Sequence, residues 1–431
     1  MAELVAFKGV RYNQDLVGDL RELTTPPYDV IGEAEQQMYY DRHPNNIIRL
    51  EFGKIYPTDT EDDNRYTRAA DYLRQWLESG ILKKEEKPAF YLYEQEFSLN
   101  GERLTRTGFI CGVKLADYSE RVVLPHEETL AKPKEDRLKL MKACLANFSS
   151  IFGLYRDEEQ EIEGILRKAK DEAEKVEFTD DLGDVHRLWI IDREDVIKQV
   201  QTLMANRPIY IADGHHRYET ALHFKREMEA EGKSGYDYVM MTLVNVYDSG
   251  LVVLPTHRLV KNVTNFSAEK LIAGLKEDFE LELVNRVEIN SDLKKAAEDF
   301  LKILAEKGEQ GQAFGLCFQD GSLYLLINKE GKPASGTAAE RLDVSVLQQK
   351  ILEKHLSIGA GEREKETNLI YTRDEEFALR AVLEKQCQLC FFLNPTRVTE
   401  VTDVADENGK MPQKSTYFYP KLITGLVLNC F

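Results

Sequence analysis

The chain has 431 residues, of which 42% are hydrophobic and 31% charged, and its formal net charge at pH 7 is -18. This length exceeds one ordinary core and the composition is that of globular proteins, so we expect two or three folded units and no membrane-spanning segment. Because basic residues are interspersed among acids, the negative charge disfavours nucleic acid as the main partner, whereas a small anion can still bind in a locally positive pocket.

The start of the sequence predicts a cytoplasmic protein. Met1 to Lys8 lacks the basic segment and the long apolar run of a secretory signal. The six cysteines are dispersed along the chain, which is typical of reduced thiols. The oligomeric state stays open.

The first fifty residues are predicted to be rich in loops. Paired prolines in Thr25-Pro26-Pro27-Tyr28-Asp29 exclude an internal helix and predict an ordered, extended loop. Either Tyr28 and Asp29 face a substrate, or the loop is a rigid turn that packs Tyr28 into the core. A short strand is predicted at Asn45 to Leu50, with Arg49 as a further substrate-binding candidate.

The middle of the chain alternates predicted helices and strands. A helix is expected at 62–79, and strands at 89–97 and 107–115 are joined by the Asn100-Gly101 turn. Further helices are expected at 158–176, 193–205 and 218–231, strands at 185–192 and 208–212, and a hairpin at 238–246 and 251–254.

Three segments are predicted. Residues 1–264 form a main α+β domain, residues 265–336 form a small inserted α+β unit, and residues 337–431 form a C-terminal segment that packs back on the main domain. Within the small unit we expect helices at 267–277 and 291–307 and strands at 279–283, 312–318 and 322–327.

The stretch Asp213-Gly214-His215-His216-Arg217-Tyr218 carries the main functional prediction. It lies where a buried strand turns into a helix, and a helix start offers backbone N–H donors to an anion. Gly214 permits close approach of a phosphate, while His216 and Arg217 would donate hydrogen bonds to it. Asp213 would hold Mg²⁺ or a proton, and His215 is a further catalytic candidate. The alternative is that the two histidines cap the helix and Arg217 pairs with surface acids.

A second cluster follows Pro125. His126 or Glu127 would act as a base, and Lys134 and Arg137 would stabilise the charge of a transferred phosphoryl group, although an ordinary solvated loop is the alternative.

Two further motifs complete the candidates. His257 and Arg258 end a predicted strand and would reach the same pocket as substrate-binding residues, or cap a helix. Lys414, Ser415 and Thr416 would bind a phosphate or a carboxylate. The sequence contains no Walker-type glycine loop, Rossmann glycine pattern or zinc-protease motif.

Six ordered motifs resemble domain-of-unknown-function family 1015, from start to end of the chain. They are Pro26 to Val30, Asn46 to Leu50, His126-Glu127 with Thr129, Asp213 to Tyr218, Pro255 to Arg258, and Lys414 to Thr416. The family implies no settled activity.

The Asp213 to Tyr218 turn is also similar to the phosphate-binding turn of the ParB/sulfiredoxin-like fold, which includes free-serine kinases. The resemblance implies an α+β, nucleotide-binding core in which His216 and Arg217 bind phosphates. His215 stands where sulfiredoxins have their catalytic cysteine, which argues against sulfinic-acid repair.

This second resemblance implies a Mg²⁺-dependent kinase that uses ATP or ADP and acts on the hydroxyl of free serine or a related metabolite. Two alternatives remain open. One is a phosphatase acting on phosphoserine or a similar phosphomonoester, and the other is a nucleotide-sensing regulator without turnover.

Overall fold

The computed structural model shows two units that do not follow the order of the sequence. Met1–Val252 and Pro420–Phe431 form the first unit, and Val253–Tyr419 forms the second. The structure describes residues 1–129, 131–332, 335–359, 367–412 and 414–431, without the side chains of residues 131 and 132. Both units mix helices with strands, as the predicted α+β class requires.

Among the described residues, twelve strands precede the boundary between the units. They are β1 (Leu4–Val5), β2 (Val10–Tyr12), β3 (Leu82–Lys84), β4 (Phe90–Leu99), β5 (Glu102–Lys114), β6 (Val123–Leu124), β7 (Ala146–Asn147), β8 (Ile151–Tyr155), β9 (Glu174–Thr179), β10 (Val185–Ile191), β11 (Ile209–Asp213) and β12 (Tyr238–Asn245).

Eight α-helices accompany them in the described part of the first unit. They are α1 (Gln14–Val17), α2 (Glu33–Arg42), α3 (Ile48–Glu51), α4 (Arg65–Glu78), α5 (Ala131–Cys144), α6 (Glu161–Ala169), α7 (Glu194–Met204) and α8 (His215–Ala230). Short 3₁₀ turns lie at Leu20–Glu22, Tyr28–Val30, Tyr118–Glu120 and Lys170–Glu172.

The large sheet of the first unit runs in the order β6-β11-β8-β12-β5-β4-β10-β9, with β1 added to β5. The pairs β6/β11 and β8/β12 are parallel, and the other pairs are antiparallel. Apolar residues of α5, α6, α7 and α8 share one buried cluster with alternate strand residues, so these helices cover the same face of the sheet.

Local sequence explains several of these elements. Asn64 begins α4 because its side chain accepts hydrogen bonds from the backbone N–H groups of Tyr66 and Thr67. Asn100 (φ 51°) and Gly101 (φ 83°) adopt the left-handed conformation that a two-residue hairpin turn needs, which joins β4 to β5 as predicted.

The second unit contains a six-stranded antiparallel sheet. The strands that follow the first twelve are β13 (Val252–Val253), β14 (His257–Val260), β15 (Phe279–Arg286), β16 (Ala313–Phe318), β17 (Ser322–Asn328), β18 (Leu369–Thr372), β19 (Leu389–Phe392), β20 (Phe418–Tyr419) and β21 (Asn429–Cys430). The sheet order is β15-β17-β16-β19-β14-β18, while β21 pairs with β7 in the first unit.

The described helices of the second unit are α9 (Ala268–Leu275), α10 (Leu293–Gln310), α11 (Asp343–Val346), α12 (Lys354–Leu356), α13 (Glu375–Leu383) and α14 (Val398–Asp406), with a π-helical stretch at Leu347–Glu353. Helices α10 and α13 share a buried apolar cluster with the sheet. No helix in the described ranges is long and apolar enough to cross a membrane.

The observed division differs from the three predicted segments. Strand β14, which the sequence placed in 1–264, pairs with β18 and β19 in the second sheet, so residues 337–419 are no separate segment. Only residues 420–431 of the predicted C-terminal segment belong to the first unit. A strand joins the sheet in which its backbone hydrogen bonds are satisfied, and hydrophobic periodicity does not identify that partner.

Two predicted elements are wrong. Asn45 to Leu50 is not a strand, because Ile48–Glu51 forms the single helical turn α3. Residues 251–254 do not form a hairpin with β12, whose neighbours in the sheet are β5 and β8.

Candidate functional site

The predicted strand, glycine and helix are present at one edge of the large sheet. Strand β11 ends at Asp213, Gly214 adopts φ 97°, and α8 begins at His215. Because β6 runs parallel to β11, the residues that follow β6, His126 and Glu127, reach the same edge. Strand β8 is antiparallel to β11, so its start, next to Ser150, also lies there.

Glycine suits position 214 because of its left-handed backbone conformation and the close approach of Arg217. A Cβ at this position would lie 2.9 Å from Nε and 3.0 Å from Cζ of Arg217, besides adopting a strained left-handed conformation. The Arg217 guanidinium donates a hydrogen bond to the carbonyl oxygen of Ser150, and its Nη2 lies 3.5 Å from Oδ2 of Asp213. Arg217 therefore folds back over the turn and fixes it to β8.

Asp213 binds a second cation that the sequence did not identify. Nζ of Lys421 donates to Oδ2 of Asp213 at 3.2 Å, and the Lys421 side chain is only 14% exposed. Burial raises the pKa of Asp213, but the positive charges of Lys421 and Arg217 outweigh it, and the pKa ends below its usual value. Asp213 is therefore ionised and held between two cations.

Asp29 supplies a second carboxylate close to Asp213. Desolvation and the negative charge of Asp213 raise the pKa of Asp29, and this rise exceeds the lowering by Arg217 and Lys421. Two neighbouring carboxylates thus have pKa values pushed in opposite directions, a pattern typical of sites where one acid stays ionised and the other exchanges a proton.

The segment that returns to the first unit positions Asp29 and Lys421. Thr25 and Thr424 exchange two backbone hydrogen bonds, of 3.2 Å and 2.8 Å, which hold the loop that ends in Asp29. The fully buried Arg106 donates to the carbonyl oxygen of Pro420 at 2.7 Å and to Oε1 of Gln95 at 2.6 Å. The backbone before Lys421 is therefore fixed by a residue of the large sheet, and the backbone after it by the loop that ends in Asp29.

His216 faces a network of charged groups on α8 and α5. Glu219, one turn after His216, accepts hydrogen bonds from the hydroxyl of Thr129 at 2.5 Å and from Nζ of Lys134 at 2.9 Å. Desolvation lowers the pKa of His216, the Glu219 carboxylate opposes this, and Lys134 reinforces it. Lys134 is thus close enough to His216 to lower its pKa, and it is paired with Glu219, which the sequence did not single out.

His215 contacts the second predicted cluster directly. Its Nε2 accepts a hydrogen bond of 3.3 Å from the backbone N–H of His126, and its Nδ1 lies 3.7 Å from Oε2 of Glu127. The two imidazole rings meet edge to face, with centroids 4.6 Å apart. In the neutral His215 ring, the proton therefore belongs on Nδ1, towards Glu127.

Arg137 is buried, and its guanidinium makes structural contacts around Tyr28. Its guanidinium donates to the carbonyl oxygen of Glu51 at 2.9 Å and to Oδ2 of Asp136, and Cζ lies 3.9 Å from the centre of the Tyr28 ring. The Tyr28 ring therefore packs on the Arg137 guanidinium.

Arg49 is likewise used locally. It donates to the carbonyl oxygens of His43 at 2.9 Å and Tyr40 at 2.8 Å and stacks on the Tyr40 ring. These bonds connect α3 to the end of α2. These hydrogen bonds and the ring contact of Arg49 are all with residues 40–43.

The remaining predicted residues belong to the second unit. His257 is 1% exposed, accepts a hydrogen bond from the backbone N–H of Leu393, and packs against Phe392. Burial lowers the pKa of His257 to about 3.

Arg258 is also buried, and its contacts include the Lys414 segment. It donates to the carbonyl oxygens of Thr256 and Lys414 and lies over the Tyr371 ring. Burial lowers the pKa of Arg258 to about 10.

The predicted Lys414 to Thr416 motif makes bonds to backbone groups. The Ser415 hydroxyl donates a hydrogen bond to the carbonyl oxygen of Pro412, and the Ser415 carbonyl oxygen accepts one from the hydroxyl of Thr396. Thr416 follows in the same segment. Through these bonds, Arg258 and Ser415 fix backbone within the second unit.

In the part of the chain that the structure describes, no group of three or more histidine, cysteine, aspartate or glutamate side chains is arranged to hold a metal ion. Asp213 and Asp29 are thus two carboxylates, a number that suits a cation held jointly with a phosphate-bearing ligand.

Comparisons with known proteins identify a family and several solved structures. A family model described as "Protein of unknown function (DUF1015)" matches residues 4–345. A conserved hypothetical protein from Pyrococcus furiosus is 16% identical, with 71% of this chain and 92% of that chain covered and a TM-score of 0.33. A free serine kinase in complex with AMP is 14% identical, with 71% and 89% covered and a TM-score of 0.35.

SbnI from Staphylococcus aureus, with a C-terminal truncation, is 9% identical, with 74% of this chain and 87% of that chain covered and a TM-score of 0.35. A search of curated proteins found no match.

Proposed function

The chain belongs to the DUF1015 family, and we propose that it is a nucleotide-dependent phosphotransferase that acts on the hydroxyl of a small metabolite such as free serine. We further assign its core to the ParB/sulfiredoxin-like folds, on the strand, glycine and helix at Asp213 to Tyr218. One observation carries the proposal: Asp213 lies between Lys421 and Arg217 at the start of α8, with Asp29 beside it.

The cations and the helix start suit a phosphate group. Gly214 has no side chain to cap α8, and the positive end of the helix dipole points towards Asp213 and its surroundings. Lys421 and His216 both lie close enough to Asp29 for their charges to interact with it. A nucleotide phosphate bound there would exchange the water around these groups for charge-assisted hydrogen bonds.

The two carboxylates suit the transfer step. Asp29, with its raised pKa, accepts the proton of the substrate hydroxyl as that oxygen attacks the terminal phosphorus of the nucleotide. The bond from this phosphorus to the bridging oxygen breaks, and the shortened nucleotide leaves with that electron pair. We favour Asp29 over Glu127 and His126 as the base because its pKa is raised beside an ionised partner.

Mg²⁺ fits the donor set. Asp213, ionised and oxygen-donating, would hold the ion together with phosphate oxygens. When bound, Mg²⁺ neutralises negative charge on the phosphates.

Binding is the first test. A thermal-shift panel of ATP, ADP and AMP with Mg²⁺ should raise the melting temperature, because a ligand that prefers the folded state stabilises it. His216→Ala should remove the shift. The control variant Glu229→Ala, at an exposed position of the same helix, should retain it.

Turnover is the second test. Incubation with serine and ATP or ADP, followed by ³¹P NMR, should show phosphoserine formed in step with loss of the terminal phosphate. Release of phosphate from phosphoserine without nucleotide would indicate that the protein is a phosphatase and not a kinase. Nucleotide binding without any product, across a panel of hydroxyl-bearing metabolites, would favour a nucleotide-sensing regulator and contradict the proposed enzymatic activity.

A further inference from the structure

A groove of about 590 Å³ runs along the first unit between α5 and α8. Its wall includes Tyr118, Leu138 and Leu222, three half-buried side chains that also pack on the core of the large sheet. Grooves of this volume with mainly apolar walls and a few polar groups are typical of small-molecule sites rather than of solvated surface.

The inner end of the groove is shared with the candidate phosphate site. Lys134 and Glu219 line the groove, and the charges of the same two side chains act on His216. The groove therefore starts beside the residue proposed to bind phosphate and continues along α8, past Leu222 to Arg226.

The length of the groove matches a nucleotide. Leu222 lies eight residues beyond Gly214, which is about 12 Å along a helix. This distance is comparable with the span from the terminal phosphate to the base in an extended nucleoside diphosphate. A phosphate at the start of α8 would thus place its nucleoside over Leu222.

The chemistry of the wall suits a planar base. Tyr118 stacks on Tyr218 with ring centroids 5.6 Å apart and an angle of 15° between the planes, which fixes the orientation of its ring. Tyr118, Leu138 and Leu222 provide apolar contact, and the ion pair of Arg226 with Asp117 supplies polar groups at the outer rim. Aromatic and apolar side chains stabilise a bound base by stacking and by exclusion of water.

We infer that the groove between α5 and α8 is the nucleoside subsite of this chain, with the base against Tyr118, Leu138 and Leu222. The inference rests on the proposed nucleotide-dependent function and adds the position of the base. Apolar contact dominates this wall, so the base should contribute affinity without strict selection between adenine and guanine.

The experiment compares ADP with inorganic pyrophosphate, which has the phosphates but lacks the nucleoside. Isothermal titration with the full chain should show ADP binding more tightly than pyrophosphate. Leu222→Gln and Leu138→Gln should each weaken ADP binding about tenfold and leave pyrophosphate binding unchanged, since a polar amide replaces apolar contact.

Leu203→Gln is the matched control. Leu203, on α7, is half-buried against the same core but does not line the groove, so its variant should bind both ligands like the wild type. This control separates loss of contact with the base from general loss of packing.

The outcomes are distinct. If wild-type protein binds ADP and the two groove variants bind it equally well, the groove is not the nucleoside subsite while the proposed function stands. Equal weakening of ADP and pyrophosphate would also overturn the inference, because it would indicate a structural effect. If wild-type protein binds neither ligand, the proposed function itself fails.

Discussion

Two His-Arg pairs that the sequence singled out lie in different environments in the structure. His216 and Arg217 begin α8 in the first unit, and His257 and Arg258 lie on β14 in the second. Both arginines are buried and donate to backbone carbonyl oxygens. The surroundings differ: Arg217 and His216 lie among carboxylates and lysines, whereas the recorded neighbours of His257 and Arg258 are aromatic rings and backbone.

The difference shows that polar residue types alone do not identify a site. A histidine or arginine bonded only to backbone has its donors used in folding, and desolvation then disfavours its charged form. A pair surrounded by oppositely charged groups at a helix start can exchange those partners for a ligand. The comparison therefore predicts loss of function from changes near α8 and loss of stability from changes on β14.

The largest effect is expected for Asp29→Asn. Turnover should fall about a thousandfold because a general base contributes roughly that much. Stability at pH 7 should change little, because Asp29 is an exposed residue and solvent screens the charge of its carboxylate. Turnover assays and thermal melting measure the two effects. Asp62→Asn, in an exposed loop, is the control, and turnover unchanged in Asp29→Asn would exclude Asp29 as the base.

Arg258→Ala should affect stability alone. It leaves the carbonyl oxygens of Thr256 and Lys414 without this donor inside the second unit, and removes the packing on Tyr371, which together cost about 3 kcal/mol in the free energy of unfolding. Urea unfolding and hydrogen exchange in β14 measure this loss. Arg380→Ala, an exposed helical ion pair, should cost less than about 0.5 kcal/mol. An altered nucleotide affinity in Arg258→Ala would contradict the expectation that changes on β14 affect stability and not function.

The pH dependence of stability tests His257. Its pKa is about 3 in the folded chain and near 6.5 when unfolded, so the unfolded chain binds the extra proton below pH 6.5. Stability is then complete above pH 6.5 and falls by about 2 kcal/mol on acidification to pH 5 from this group alone. His257→Gln should flatten the curve by that amount, and the exposed His223→Gln should not. A curve that stays equally steep in His257→Gln would indicate that His257 is protonated in the folded state.

The smallest effect is expected for Lys421→Met. Loss of this cation should weaken nucleotide binding about tenfold, the usual scale for one charged hydrogen bond at a site of this kind. The pKa of Asp213 should also rise, because Lys421 is the largest of the charges that lower it. Titration calorimetry and NMR of the carboxylate measure these changes. Lys233→Met removes an exposed cation of the same unit and should alter neither quantity.

Sequence predicted the fold where local signals were strong. The α4 helix, the β4–β5 hairpin, β10, α7 and the elements of 268–328 agree with the structure, because capping residues, an Asn-Gly turn and clear periodicity act over short distances. The failures lie where short apolar runs are ambiguous, as at α3, or where long-range pairing decides, as at β14.

The site was predicted in part for the same reason. The turn at Gly214 and the neighbourhood of His215 with Glu127 follow from one motif and one parallel strand pair. Glu219 and Lys421 were missed, since Glu219 reads as one of many helical acids and Lys421 reaches Asp213 across 208 positions of sequence. The sequence signal that could have identified Lys421 is its position directly after Tyr419-Pro420 and close to Lys414.

The discontinuous first unit has a consequence for biosynthesis. A ribosome must translate residues 253–419 before it reaches Lys421, a delay on the order of ten seconds at ordinary elongation rates. Until then the nascent chain contains Asp213, Arg217 and the start of α8 without the lysine and the Thr424 backbone that complete their surroundings. On the proposed function, nucleotide binding reaches full strength only after the second unit has been made, so a ribosome-bound chain stalled in that interval should bind nucleotide more weakly than the complete chain.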